Sequence, residues 1–73
     1  MDIYYNVVSV SDDCCGAVNL GAYKSAQEAV NSADFAFHVR GGFADEKKLH
    51  SMRSSATWVD WEKRLVIFVR ASR

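Results

Sequence analysis

Cysteine and histidine have the widest chemistry of any residues in this chain, and their spacing puts that chemistry out of reach. Cys14 and Cys15 are adjacent, just ahead of Gly16, while His38 and His50 lie well downstream. A thiol beside an imidazole is a nucleophile with its base. Here no family-specific motif surrounds the pair, and Asp12 and Asp13 disfavour a thiolate. Adjacent cysteines also lack the spacing of roughly two to four residues that wraps a tetrahedral zinc ion. A disulfide between neighbours closes a small strained ring that staples nothing distant. The cysteines therefore read as free thiols, His38 as a helix-end cap and His50 as a solvent-facing residue. Gly41-Gly42 follows a helical segment and does not lead from a strand into one, so it reads as a helix stop and not a phosphate cradle. No catalytic residue, metal or cofactor is expected.

The second group of reactive surfaces is aromatic and cationic. Arg53, Trp58, Trp61, Arg64 and Arg70 interleave stacking faces with positive charge, as single-strand nucleic-acid binders do. The net charge of zero and the pI of 6.7 argue against a direct grip on phosphate, so nucleic acid is expected only indirectly. The same mixture suits a protein interface, where exposed tryptophan near arginine forms hot spots. Trp58 and Trp61 are three apart in an extended segment, so they point to opposite faces and only one can enter a core. Phe35 lies opposite the apolar stripe of its helix and is expected to face outward. The candidate partner-binding residues are Phe35, Phe43, Arg53, Trp58, Trp61, Arg64 and Arg70.

Charge is unevenly placed. Residues 1–37 carry Lys24 against Asp2, Asp12, Asp13, Glu28 and Asp34, a net of −4, and residues 38–73 carry eight bases against four acids, a net of +4. Such a split suits oriented docking on a charged surface, or simply a solvated exterior.

The elements that must position these residues follow from periodicity and turn chemistry. Ile3 to Val10 is rich in β-branched and aromatic residues and reads as a strand, broken by turn formers from Ser11 to Gly16. A weaker strand from about Ala17 to Tyr23, interrupted by Gly21, pairs with it as a hairpin. Ser25-Ala26-Gln27-Glu28 is a capping box that starts a helix at Ala26. Ala26, Ala29, Val30, Ala33 and Phe37 recur on one face of that helix. The segment from Phe43 to Ser55 is compatible with a short amphipathic helix through Ala44, Lys48, Leu49 and Met52, and equally with an ordered loop. Strands at Ala56 to Trp61 and Leu65 to Arg70 follow, joined by a polar turn at Glu62-Lys63-Arg64.

The expected fold is α+β: an antiparallel sheet in ββαββ order with one α-helix on one face, forming a single domain over residues 1–73. Hydrophobic residues make up 49 % and charged residues 25 %, which excludes a disordered chain. No apolar run approaches the roughly 18 residues of a membrane span, and Met1 to Tyr5 lacks the basic start of a signal peptide, so a cytoplasmic protein is expected. The strands are apolar on both faces: Ile3, Tyr5 and Val7 oppose Tyr4, Val8 and Val10, while Leu65, Ile67 and Val69 oppose Val66 and Phe68. One helix hides only one of those faces. The other is left to the segment from Phe43 to Ser55, to a second copy in a homodimer, or to a different partner.

Asp2-Ile3-Tyr4-Tyr5-Asn6-Val7-Val8-Ser9-Val10, followed by the Ala-rich helix from Ser25 to His38 in a cysteine-light chain of this length, resembles the small cytoplasmic effectors that bacteriophages direct against host machinery. Within that group it is similar to the RNA polymerase-binding transcription regulators, such as that of a Xanthomonas phage. The resemblance covers length, make-up and layout over the whole chain. It implies a non-enzymatic protein that binds bacterial RNA polymerase subunits in the host cytoplasm. Such a protein inhibits initiation by interfering with the σ factor and promotes antitermination, with host elongation factors as further partners. It supplies no motif to transfer residue by residue, so the candidate site rests on the aromatics and the basic half. Two other readings share the size and fold economy: an anti-defence, anti-CRISPR-like inhibitor of a protein complex, and a small single-stranded nucleic-acid-binding protein.

Overall fold

The computed structural model describes residues 3–11 and 16–72, so Cys14 and Cys15, read above as free thiols, lie outside the described residues. Strand β1 (Tyr4–Ser11) and strand β2 (Ala17–Tyr23) form the first hairpin; helices α1 (Ala26–Val39) and α2 (Glu46–Ser55) follow, then β3 (Thr57–Asp60) and β4 (Leu65–Ser72). The class is the expected α+β with one antiparallel four-stranded sheet, but the order is ββααββ and there are two helices, not one. The sheet runs β2-β1-β4-β3, so the first and last strands are its centre, with Val7 opposite Val69 and Ser9 opposite Ile67.

The extra helix is a capped one. Asp45 sits at its N-cap and accepts a hydrogen bond from the Lys48 backbone N–H at 2.8 Å. Ala56 closes its far end in the left-handed conformation, φ 55°, a geometry usually left to glycine. None of its residues is fully buried, and Leu49 and Met52 are only half-buried, which is why periodicity left the segment open. Helix α2 packs against β3, covering one edge of the sheet.

Helix α1 begins at Ala26 as expected, but Ser25 makes no side-chain capping bond, and the start is held by the Ala29 N–H donating to the Ser25 carbonyl at 3.1 Å. Ala29, Ala33, Ala36 and Phe37 are buried, while Ala26 is exposed. These small side chains let the helix lie close on Val7, Trp58, Leu65 and Ile67, which complete the core. Phe37 also fixes the chain beyond the helix: a Cβ on Gly42 would sit 2.6 Å from its ring carbons Cε1 and Cζ. Gly42 is thus pressed onto the core, and the next residue is Phe43.

Strand β2 is the other edge. A bulge places Val7 opposite Gly21 but Val8 opposite Asn19, and the Gly21 N–H donates to Asn19 Oδ1 at 2.9 Å. A bulge with its own side-chain acceptor makes a poor template for another strand. Among the described residues no helix is long and apolar enough to cross a membrane.

Candidate functional site

Strand β3 ends at Asp60, and this carboxylate organises the turn beyond it. Its Oδ2 accepts from the Phe43 N–H at 2.9 Å, and its Oδ1 from the N–H groups of Glu62 and Lys63 at 3.0 and 3.2 Å. One side chain therefore ties the α1–α2 loop to the β3–β4 turn. The Phe43 N–H, then those of Lys63 and Glu62, with the Lys63 charge, hold its carboxyl below the usual value against a smaller opposing effect of desolvation. Asp60 is committed to backbone donors and is not placed to act as a base.

The two loops present Phe43 and Trp61, 83 % and 82 % exposed. Between them lies a cleft of about 330 Å³ whose apolar surface comes from Phe43, Met52, Val59 and Trp61, with Lys48, Asp60 and Glu62 at its polar margin. That volume is at the low end for ligand pockets. The lining contains no cysteine, histidine or serine. Two exposed rings on backbone held by both Asp60 and the Gly42–Phe37 contact form a pre-ordered apolar grip, suited to an apolar side chain of another molecule.

The expected division of the tryptophans is found, with two corrections. Trp58 is fully buried, so it is a core residue and presents nothing to a partner. Trp61 is outside, but it stands in the turn 61–64 and not in the strand, which stops one residue earlier.

Of the other candidates, Arg53 donates to Asp34 Oδ2 at 2.7 Å, tying α2 to α1. Arg64 occupies the same turn as Trp61 with left-handed backbone, φ 53°. Arg70 lies exposed across from Asn6 in the sheet, and Phe35 is 71 % exposed on α1 one turn from the exposed Val39. Phe43 and Trp61 are thus the pair that meets in the cleft. The other candidates serve the core, the α1–α2 tie or separate surfaces. Met52 and Asp60 belong to the site without having been among the candidates. Asp60 had a readable signal, an Asp immediately before a tight polar turn, since such side chains accept from backbone N–H groups two or three residues on.

No family model, curated protein or solved structure matches this chain. The residues themselves carry the reading of the cleft. Among the described residues, no group of three or more His, Cys, Asp or Glu is placed to hold a metal ion.

Asp34 is a second polar centre, apart from the cleft lining, that ties α1 to α2 and to the core. Its Oδ1 accepts from the Trp58 indole N–H at 3.1 Å and lies 3.9 Å from His38 Nε2, while Oδ2 takes the Arg53 guanidinium. Burial alone raises its pKa. The bonds from Arg53 and Trp58 and the charges of Arg53 and His38 outweigh burial, and the net shift is downward. A lowered folded pKa stabilises the fold above the unfolded value, about 3.9, and the benefit is lost as pH falls through the folded value. The urea midpoint is therefore expected to drop on acidification below about pH 5. Asp34→Asn should flatten part of that drop, with Asp60 supplying some of the remainder. An unchanged acid profile in Asp34→Asn would show that the ion pair does not stabilise the fold.

Proposed function

We propose that this chain is a non-enzymatic regulator that acts by binding bacterial RNA polymerase in the bacterial cytoplasm, inhibiting initiation and promoting antitermination, with the Phe43–Trp61 cleft as its principal contact. The observation that supports binding is the cleft. Two large aromatic side chains are held out in solvent on backbone that one carboxylate and one core contact keep ordered. Exposing that much aromatic surface costs solubility and stabilises nothing in the isolated domain, but it suits a hot spot. The polymerase as partner rests on the resemblance of the first strand and the Ala-rich helix to the phage regulators. Direct single-strand binding is the weaker reading, because two of the five residues that suggested it are otherwise engaged: Trp58 is inside the core and Arg53 is paired with Asp34.

Immobilised bacterial RNA polymerase holoenzyme, titrated with the purified chain, tests both parts. The wild type is expected to bind and to reduce promoter-dependent initiation. Phe43→Ala and Trp61→Ala are each expected to weaken binding by about 2 kcal/mol, roughly 30-fold, with unchanged thermal stability. No binding at about 10 µM would overturn the polymerase assignment. Binding by both variants at wild-type strength would remove the cleft from it.

A further inference from the structure

We infer that the sheet face opposite α1 is a homodimer interface, on which two copies pack sheet against sheet with their α1 helices outermost. This goes beyond the cleft reading and does not depend on it.

The strand register defines the face. On it β1 turns out Tyr4, Asn6, Val8 and Val10, and β4 sets Ser72, Arg70, Phe68 and Val66 beside them in that order. Strand β3 adds Thr57 and Val59, and β2 adds Ala17, Asn19 and Ala22. Val8, Phe68, Val10 and Val66 are contiguous and make an apolar block, Val10 37 % exposed and the other three half-buried, while Val59 beside Val66 belongs to the wall of the cleft. Helix α1 lies on the opposite face, and α2 is spent on the β3 edge.

What covers the block is indicated by charge and by area. Arg70 is the one charged residue among those thirteen positions, in a chain where a quarter of residues are charged. It stands at one end, where Asn6 Nδ2 donates to Ser72 Oγ at 2.7 Å and Asn19 Nδ2 to Asn6 Oδ1 at 3.3 Å. A single cation gives no footprint for nucleic acid or for an acidic partner, whereas an apolar patch of low charge with a polar end is the make-up of an interface core and rim. Four strands spaced about 4.8 Å apart, eight, seven, four and eight residues long at about 3.3 Å each, give a face of roughly 430 Å² per copy. Two such faces bury roughly 850 Å², short of the roughly 1,000 Å² of a stable specific interface and in the range of transient contacts, which sets the expectation of a weak, reversible dimer.

The position of Arg70 also selects the symmetry. A two-fold axis lying between the sheets and running along the strands would bring the two guanidinium groups together. An axis across the strands sets the Arg70 end of each copy over the Val10–Val66 end of the other, and each cation reaches solvent at the rim. Sheets so paired pack about 10 Å apart, their strands within about 30° of alignment.

Sedimentation equilibrium of the whole chain, from about 1 µM to about 1 mM, tests the proposal. A concentration-dependent monomer–dimer equilibrium is expected, its dissociation constant raised at least roughly tenfold by Phe68→Glu and by Val10→Lys, and unchanged by Trp61→Ala. Val10 is already partly exposed, so the Val10→Lys chain should fold and carries the test if Phe68→Glu does not. Amide shifts that move with concentration should cluster at Val8, Val66 and Phe68. A chain monomeric at about 1 mM, a dimer indifferent to both variants, or shifts centred on Phe43 and Trp61 would each overturn the inference. A monomer that still binds polymerase through the cleft would sink this inference and leave the other standing.

Discussion

Trp58→Ala is expected to cost about 3–5 kcal/mol, a large share of the stability this domain has. A folded chain of this length, at roughly 0.05–0.15 kcal/mol per residue, is stable by roughly 4–11 kcal/mol. Trp58 is the largest of the fully buried side chains and lies in the core with Ala29 and Ala33. Alanines cannot reach into the space an indole leaves, so collapse fills little of the cavity and the cost falls at the high end of the range. The lost indole N–H also takes one of the donors from Asp34. Trp58→Phe should cost less, since it keeps most of the volume and loses the hydrogen bond, worth roughly 1–2 kcal/mol, with a small residual void. Trp61→Ala is the control, expected within about 0.5 kcal/mol of wild type. Urea denaturation followed by far-UV circular dichroism measures all three. Equal losses for Trp58→Ala and Trp61→Ala would contradict the assignment of one to the core and the other to the surface.

Gly42→Ala is expected to damage both fold and site through one methyl group. The new Cβ would stand 2.6 Å from two ring carbons of Phe37 and 2.7 Å from a third. Phe37 is fully buried and has nowhere to swing, so the loop must lift. Overpacking of this kind costs about 1–3 kcal/mol. The lift moves Phe43, whose N–H donates to Asp60, and so opens the cleft from its far wall. Partner binding should therefore fall about as far as in Phe43→Ala, although no cleft side chain has changed. Adding Phe37→Leu should return binding more fully than stability, because the smaller side chain makes room for the methyl while thinning the core. Unchanged stability in Gly42→Ala would mean that the loop is not pressed onto Phe37.

The strands and the first helix were legible because their signals are local and redundant. Val7, Val8 and Val10 are β-branched, Leu65 to Val69 is an unbroken apolar run of strand length, and the alanines of α1 recur at helical spacing. The second helix was ambiguous because α2 buries no residue completely: its support comes from the Asp45 cap and the Arg53–Asp34 bond, neither of which leaves a periodic trace. The capping box at Ser25 shows the converse, a correct start predicted by a bond that does not form. Parity along a strand placed the two tryptophans on opposite sides, yet Trp61 owes its exposure to a turn that begins one residue earlier than expected. The ties of Asp34 to Arg53 and Trp58, and that of Asp60 to Phe43, were invisible because those partners lie far off in the sequence, whereas the hold of Asp60 on Glu62 and Lys63 was readable. Part of the acidic and basic split of the chain is used inside the fold, where Asp34 of the first half holds Arg53 of the second.

The sheet order has a consequence for how the molecule is made. Strand β1 leaves the ribosome early, and β4, which lies beside it at the centre of the sheet, is synthesised last of the four strands. During translation the β1–β2 hairpin and α1 are therefore complete while the strand carrying Leu65 and Ile67 is still missing. A two-stranded hairpin is marginal on its own, so the nascent chain cannot bank its structure piece by piece. The core closes in one late step, at the slower pace that long-range strand pairing imposes, and until then the apolar faces of β1 are held in solution by nothing but their brevity and by whatever chaperone reaches them.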